Sequence, residues 1–196
     1  MYGKINVALI YGSTREGRFC DTVAGAGGEI ASKSAFSLEV IDPAALALAV
    51  PTRHESRGSA ALSALTRRLE QADAFVIVTP EYNHGYPAAL KFLIDSIYDP
   101  WQAKPVAFVS YGGISGGLRA VEQLRLVFAE LHAVAIRDSV SFANVWERFD
   151  TDGRLLEPAR ANKSMATVLA QLHWWATALR NARNADRTGG RPHEAA

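Results

Sequence analysis

The sequence predicts an open parallel α/β sheet covered by helices on both faces. Three observations carry that reading. Five strand-like segments alternate with helical patterns along the chain, and parallel neighbours need such crossover helices. Two of the segments, 74–79 and 105–110, are almost wholly apolar, as suits strands covered on both faces. Loops rich in Gly, Ser and Pro follow the first, third and fourth strands, where open sheets of this kind bind ligands.

Residues 4–11 read as a buried strand, and about 21–32 as a helix of small residues weakened by Gly25, Gly27 and Gly28. Residues 36–41 alternate as a half-buried strand and stop at Asp42-Pro43. A loop of undefined shape leads to a helix over 59–71, with Leu62, Leu65 and Leu69 on one face. The strand 74–79 ends at Pro80. The next helix starts at Pro87, carries Leu90, Leu93, Ile94 and Ile97 inward, and is stopped by Asp99-Pro100. The strand 105–110 runs into the glycine loop Tyr111 to Gly117, and a helix follows that packs through Leu118, Val121, Leu124, Phe128 and Leu131. A last strand over 133–142, a polar stretch over 144–157 and a final helix over about 159–181 complete the order. Residues 1–184 thus form a single domain, and 185–196 read as a flexible polar tail.

Composition excludes several classes of function. The chain has 196 residues, 48% of them hydrophobic, ample for one core. Its 21 basic and 20 acidic residues nearly cancel, so neither a nucleic-acid footprint nor a strongly acidic surface is expected. A single cysteine, Cys20, forbids an intramolecular disulfide and suits the cytoplasm. No signal peptide or membrane span is read. The five histidines show no metal-ligand spacing supported by cysteine, so no metal is expected.

The loop Gly12-Ser13-Thr14-Arg15-Glu16-Gly17-Arg18 follows an apolar strand and opens a helix. Helix N-termini present unpaired N–H groups to anions, and arginine adds forked, charged donors. Gly12 and Gly17 have the spacing of the two P-loop glycines, but Arg18 replaces the lysine and Phe19 the magnesium-binding hydroxyl. No dinucleotide fingerprint G-x-G-x-x-G occurs. A terminal monophosphate or a plain structural turn remains.

Three motifs in this order, Gly12 to Arg18, Pro80-Glu81-Tyr82-Asn83-His84-Gly85, and Tyr111-Gly112-Gly113 with Gly116-Gly117-Leu118-Arg119, resemble the flavodoxin-like NADPH-dependent FMN reductases, which include quinone, azo-dye and chromate reductases. The resemblance covers roughly residues 4–180. It implies a flavodoxin-like three-layer sandwich with strand order 2-1-3-4-5, bound FMN, and NADPH or NADH as co-substrate. Hydride would pass by a ping-pong route to quinone-like, azo or free flavin acceptors. The alternative is a flavodoxin-type electron carrier, disfavoured by the balanced charge and by Arg15 and Arg18.

The resemblance assigns Gly12, Ser13, Arg15 and Arg18 to the FMN phosphate. It places Pro80, Glu81, Tyr82, Asn83 and His84 at the flavin ring, and Ser110, Tyr111, Gly112 and Gly113 at its edge. Many relatives carry serine and asparagine at the positions of Arg18 and Cys20; a quinone-reductase-like subgroup has arginine first, as here. His84 invites a proton-donor role, yet hydride chemistry resides on the cofactors, so no catalytic side chain is assigned and His84 is read as pocket wall. Cys20 near a helix N-terminus suggests redox sensing, against the plainer reading of a small, semi-buried residue. The resemblance further implies a homodimer, with a homotetramer left open and the flavin near the interface. Trp174 and Trp175 cannot both face inward, so one is free to cover such a contact.

Overall fold

The computed structural model describes residues 4–32, 36–46, 48 and 59–189. Five strands, β1 (Ile5–Tyr11), β2 (Phe36–Ile41), β3 (Ala74–Pro80), β4 (Pro105–Tyr111) and β5 (Val134–Phe142), form one sheet in the order β2-β1-β3-β4-β5. Every pairing is parallel. The helices α1 (Cys20–Ser32), α2 (Ala60–Gln71), α3 (Ala88–Asp95), α4 (Leu118–Glu130) and α5 (Pro158–Gly189) cover both faces. This is the flavodoxin-like α/β fold that the sequence predicts.

Burial explains the layering. Every residue of β3 and of β4 is buried, so these strands carry apolar side chains to both sides. On one face Cys20, Val23 and Ala24 of α1 join Met165, Val168, Leu169, Leu172 and Ala176 of α5 over Val7, Leu9, Val76 and Val109. On the other, α2, α3 and α4 contribute Leu65, Leu69, Leu90, Leu93, Val121, Leu124 and Phe128. Trp101 belongs to this second core, its ring centroid 4.7 Å from Phe75 and 5.5 Å from Phe128. Its indole N–H donates to the Ile97 carbonyl at 2.7 Å, which satisfies the polar end of a fully buried side chain.

Element boundaries differ from the periodicity in three places. α3 ends at Asp95 rather than running to Asp99. There the Ser96 hydroxyl donates to the Phe92 carbonyl at 2.7 Å, a local bond that competes with helix propagation. Tyr111 ends β4 instead of opening the glycine loop, because its neighbour across the sheet is Phe142. α5 continues to Gly189, past Asn181 and into the segment read as tail. Arg180 pairs with Asp73 at 3.1 Å and donates to the Lys4 carbonyl, and Arg183 donates to the Ala103 carbonyl. These contacts anchor α5 at the amino ends of the strands, opposite the loops of interest.

Candidate functional site

Gly12, the first residue after β1, lies against the end of β3, its N–H donating to the Val78 carbonyl at 2.7 Å. A Cβ there would stand 2.9 Å from both Val78 O and Thr79 Oγ1, so only glycine fits this approach. The chain then turns over Ser13, which is fully buried. Its hydroxyl pairs with the Tyr82 hydroxyl at 2.8 Å and accepts from the Arg15 N–H at 3.4 Å. Arg15 is exposed, and its guanidinium stacks 3.7 Å above the Tyr82 ring centroid. Among the described residues, the N–H groups of Thr14, Glu16 and Gly17 meet no protein acceptor. The arc before α1 therefore carries several available donors, one cation and a buried hydroxyl.

Arg18, expected to face an anion directly, is otherwise engaged. One terminal nitrogen donates to the Ser13 carbonyl at 2.5 Å and to Asp42 Oδ1 at 2.7 Å. The other donates to Asp42 Oδ2 at 2.6 Å and to Asp21 Oδ1 at 3.0 Å, while Nε reaches the Asp21 carboxylate at 3.1 Å. An arginine has five N–H donors, and here each has an acceptor. The Arg18 hydrogen bonds hold the Asp42 carboxyl below the usual carboxylate range, although partial burial opposes them.

The loop after β3 is a tight reversal. Tyr82 and Gly85 form an antiparallel bridge, exchanging N–H···O bonds of 2.9 and 3.0 Å. Asn83 (φ 50°) and His84 (φ 68°) occupy its two left-handed positions. Asparagine tolerates that region, which explains the Asn-His-Gly order. Both side chains are exposed, and the His84 carbonyl accepts from Gln123 of α4. Pro80 is buried at the strand end.

Glu81 turns away from the crevice. It accepts from the Ser115 hydroxyl at 2.8 Å and pairs with Arg119 through the guanidinium at 2.8 Å and the backbone N–H at 3.1 Å. Burial alone would raise its carboxyl; the Arg119 and Ser115 hydrogen bonds outweigh that and hold it low. The loops after β3 and β4 are thereby tied together.

The third loop has a buried underside. The Ser110 hydroxyl donates to the Gly116 carbonyl at 2.8 Å, and Gly112 N–H to the Phe142 carbonyl at 3.2 Å. Gly117 (φ 83°) is the left-handed residue just before α4, and a Cβ on it would sit 2.9 Å from Tyr111 N. The Tyr111 ring is buried in the α1/α5 core; its hydroxyl has no hydrogen-bond partner among the described residues. Burial first, then the neighbouring Cys20 thiol, pushes that hydroxyl far above its ordinary range. Ser110 and Tyr111 therefore reach the crevice only by backbone. Exposed Trp146 stands by this loop, its Cη2 3.8 Å from where a Cβ on Gly113 would lie. Cys20 is wholly buried, its thiol donating to the Val78 carbonyl at 3.5 Å, and burial raises its pKa.

Sequence reasoning does not connect Asp21, Asp42 and Trp146 with these loops, nor Glu81 with Ser115 and Arg119 of the third motif. A carboxylate directly following β2 was the available signal for Asp42. Among the described residues no group of three or more His, Cys, Asp or Glu side chains is placed to hold a metal ion.

The donor set after β1 fits a phosphate monoester: backbone N–H groups at a helix start and an exposed arginine, over a turn braced by the buried Ser13 hydroxyl. The second and third loops flank the same sheet edge. Fold and site together define a flavodoxin-like protein with an exposed cation and free backbone donors at the carboxyl end of β1.

The sequence profile of the NADPH-dependent FMN reductases matches residues 5–147. An NAD(P)H:quinone oxidoreductase of Solanum tuberosum is 33% identical over 85% of this chain and 90% of its own. An NAD(P)H-dependent FMN reductase of Schizosaccharomyces pombe is 35% identical over 57% of this chain and 60% of its own. Among solved structures, FerB, a flavoenzyme NAD(P)H:(acceptor) oxidoreductase from Paracoccus denitrificans, superposes with a TM-score of 0.70 at 21% identity, covering 88% of this chain and 98% of that one. The chain belongs to the NADPH-dependent FMN reductase family. It is an FMN-dependent NAD(P)H oxidoreductase.

Proposed function

We propose that the protein takes hydride from NADPH or NADH and delivers it to quinone-like, azo or free flavin acceptors, the two substrates using one crevice in turn. The observation that carries this reading is the convergence of Ser13, Arg15 and Tyr82 at the carboxyl edge of the sheet. The potato relative's name supports a quinone acceptor.

Bound FMN supplies the redox chemistry; the chain binds and orients it. In this reading the loop N–H groups after the Gly12 turn and Arg15 take the phosphate, the Ser13 hydroxyl, buried against Tyr82, braces that turn from within rather than facing the phosphate, and Arg18 acts behind them. Pro80 to His84 line the ring, Glu81 through its backbone only, and Ser110 to Gly113 lie along its edge. No side chain is assigned to proton transfer, His84 included. Balanced charge weighs against the carrier alternative, because carriers dock through strongly charged faces.

We also read the protein as a cytoplasmic homodimer. Supporting this are the single buried thiol Cys20 and Trp174, which α5 leaves 63% exposed. Among the described residues no helix is long and apolar enough to cross a membrane.

Steady-state kinetics with NADPH and benzoquinone test the order of events. Parallel double-reciprocal lines are expected. Intersecting lines would mean that both substrates are bound together.

A further inference from the structure

We propose that Arg18 and Asp42 form a positioning clamp that sets the phosphate loop from behind without touching the phosphate. The inference rests on the reading that Gly12 to Arg18 receives the FMN phosphate. The Arg18 side chain is only 9% exposed and lies 5.0 Å from the Tyr11 ring centroid. Its guanidinium meets acceptors from three segments: the Ser13 carbonyl in the loop, Asp21 in the first turn of α1, and Asp42 just past β2. With all five donors used, an incoming anion would have to displace a carboxylate to gain a bond from it. Asp42 is itself braced, since its Oδ1 accepts the Ala44 N–H at 2.9 Å.

The clamp acts through Ser13. Fixing that carbonyl fixes the peptide plane between Ser13 and Thr14, and hence the direction of the Thr14 N–H at the head of the donor arc. It also orients the residue whose hydroxyl reaches Tyr82. Donors aligned before the ligand arrives lose less freedom on binding. Arg18 is thus a positioning residue.

Dissociation constants of the apoprotein for FMN and for riboflavin, which lacks the phosphate, test the proposal in the wild type, Arg18→Gln and Asp42→Asn. Flavin fluorescence quenching reads both. Both substitutions are expected to weaken FMN on the order of tenfold, as for loss of charged hydrogen bonds, and to leave riboflavin within about twofold. A direct phosphate ligand would behave otherwise: Asp42→Asn would free the guanidinium and hold or tighten FMN, and that result would overturn the proposal. Equal losses for the two flavins would also overturn it, because the clamp would then serve the fold as a whole. A wild type that binds FMN no better than riboflavin would instead reject the phosphate reading on which the clamp depends. Should Arg18→Gln fail to fold, the Asp42→Asn comparison decides alone, since asparagine keeps the oxygen that caps Ala44.

Discussion

The Tyr82 hydroxyl lies 2.8 Å from the Ser13 hydroxyl, joining the loop after β3 to the loop after β1. Ser13 is fully buried, so this pairing satisfies a hydroxyl that water does not reach. Tyr82→Phe removes one partner and leaves the Arg15 stacking surface. The expected loss is about 1 kcal/mol of unfolding free energy, measured by urea denaturation of the apoprotein. An unchanged midpoint would show that Ser13 finds another partner.

Arg15→Ala is expected to weaken FMN retention by about 1.5–3 kcal/mol, the range for charged hydrogen bonds. Isothermal titration of the apoprotein checks it. Unchanged affinity would remove Arg15 from the phosphate site and leave it as a cover for Tyr82.

Gly117 combines φ 83° with a Cβ position 2.9 Å from Tyr111 N. Backbone atoms cannot swing aside, so Gly117→Ala is expected to cost about 3 kcal/mol through overpacking and left-handed strain. Chemical denaturation would read this as a lower midpoint with an unchanged slope.

Cys20 is buried and its thiol is kept protonated by desolvation. Native protein at pH 8 is expected to react with a disulfide reagent only after urea unfolds it, because the thiolate is the reactive form. Prompt stoichiometric reaction in the folded state would revive a redox role for this residue.

Asp42 and Glu81 both have carboxyls held below their ordinary range. A depressed folded pKa contributes stability that is present above the unfolded value, about 4, and lost as pH falls through the folded value. The urea midpoint is therefore expected to be flat with respect to these two groups from pH 7 to 5 and to decline below about pH 4. Asp42→Asn should lower the plateau and soften that decline.

How far the sequence reveals this molecule depends on the range of the interaction. β3 and β4 announce themselves because a strand buried on both faces must be continuously apolar. The α5 boundary is hidden because the polar turns beyond Asn181 lack apolar periodicity, and the nearby Arg180 and Arg183 anchors reach Asp73, Lys4 and Ala103. At the site, the Gly, Ser and Arg composition reveals the loop after β1, but not what Arg18 does. Asp42 is 24 residues away in sequence; it comes alongside only because Ile10 pairs with Ile41 across β1 and β2. Glu81 misleads for the same reason: its partners Ser115 and Arg119 are 34 and 38 residues away, in the loop after β4 and the first turn of α4.

The central claim is that a flavin held at this sheet edge accepts hydride from a nicotinamide. Anaerobic mixing of the FMN-loaded protein with NADPH or NADH, followed by absorbance near 450 nm, tests it most directly. Bleaching within seconds, and full return of colour on adding benzoquinone, is the predicted result. Bound flavin that neither nucleotide bleaches, while dithionite does, would contradict the account and make the protein an electron carrier.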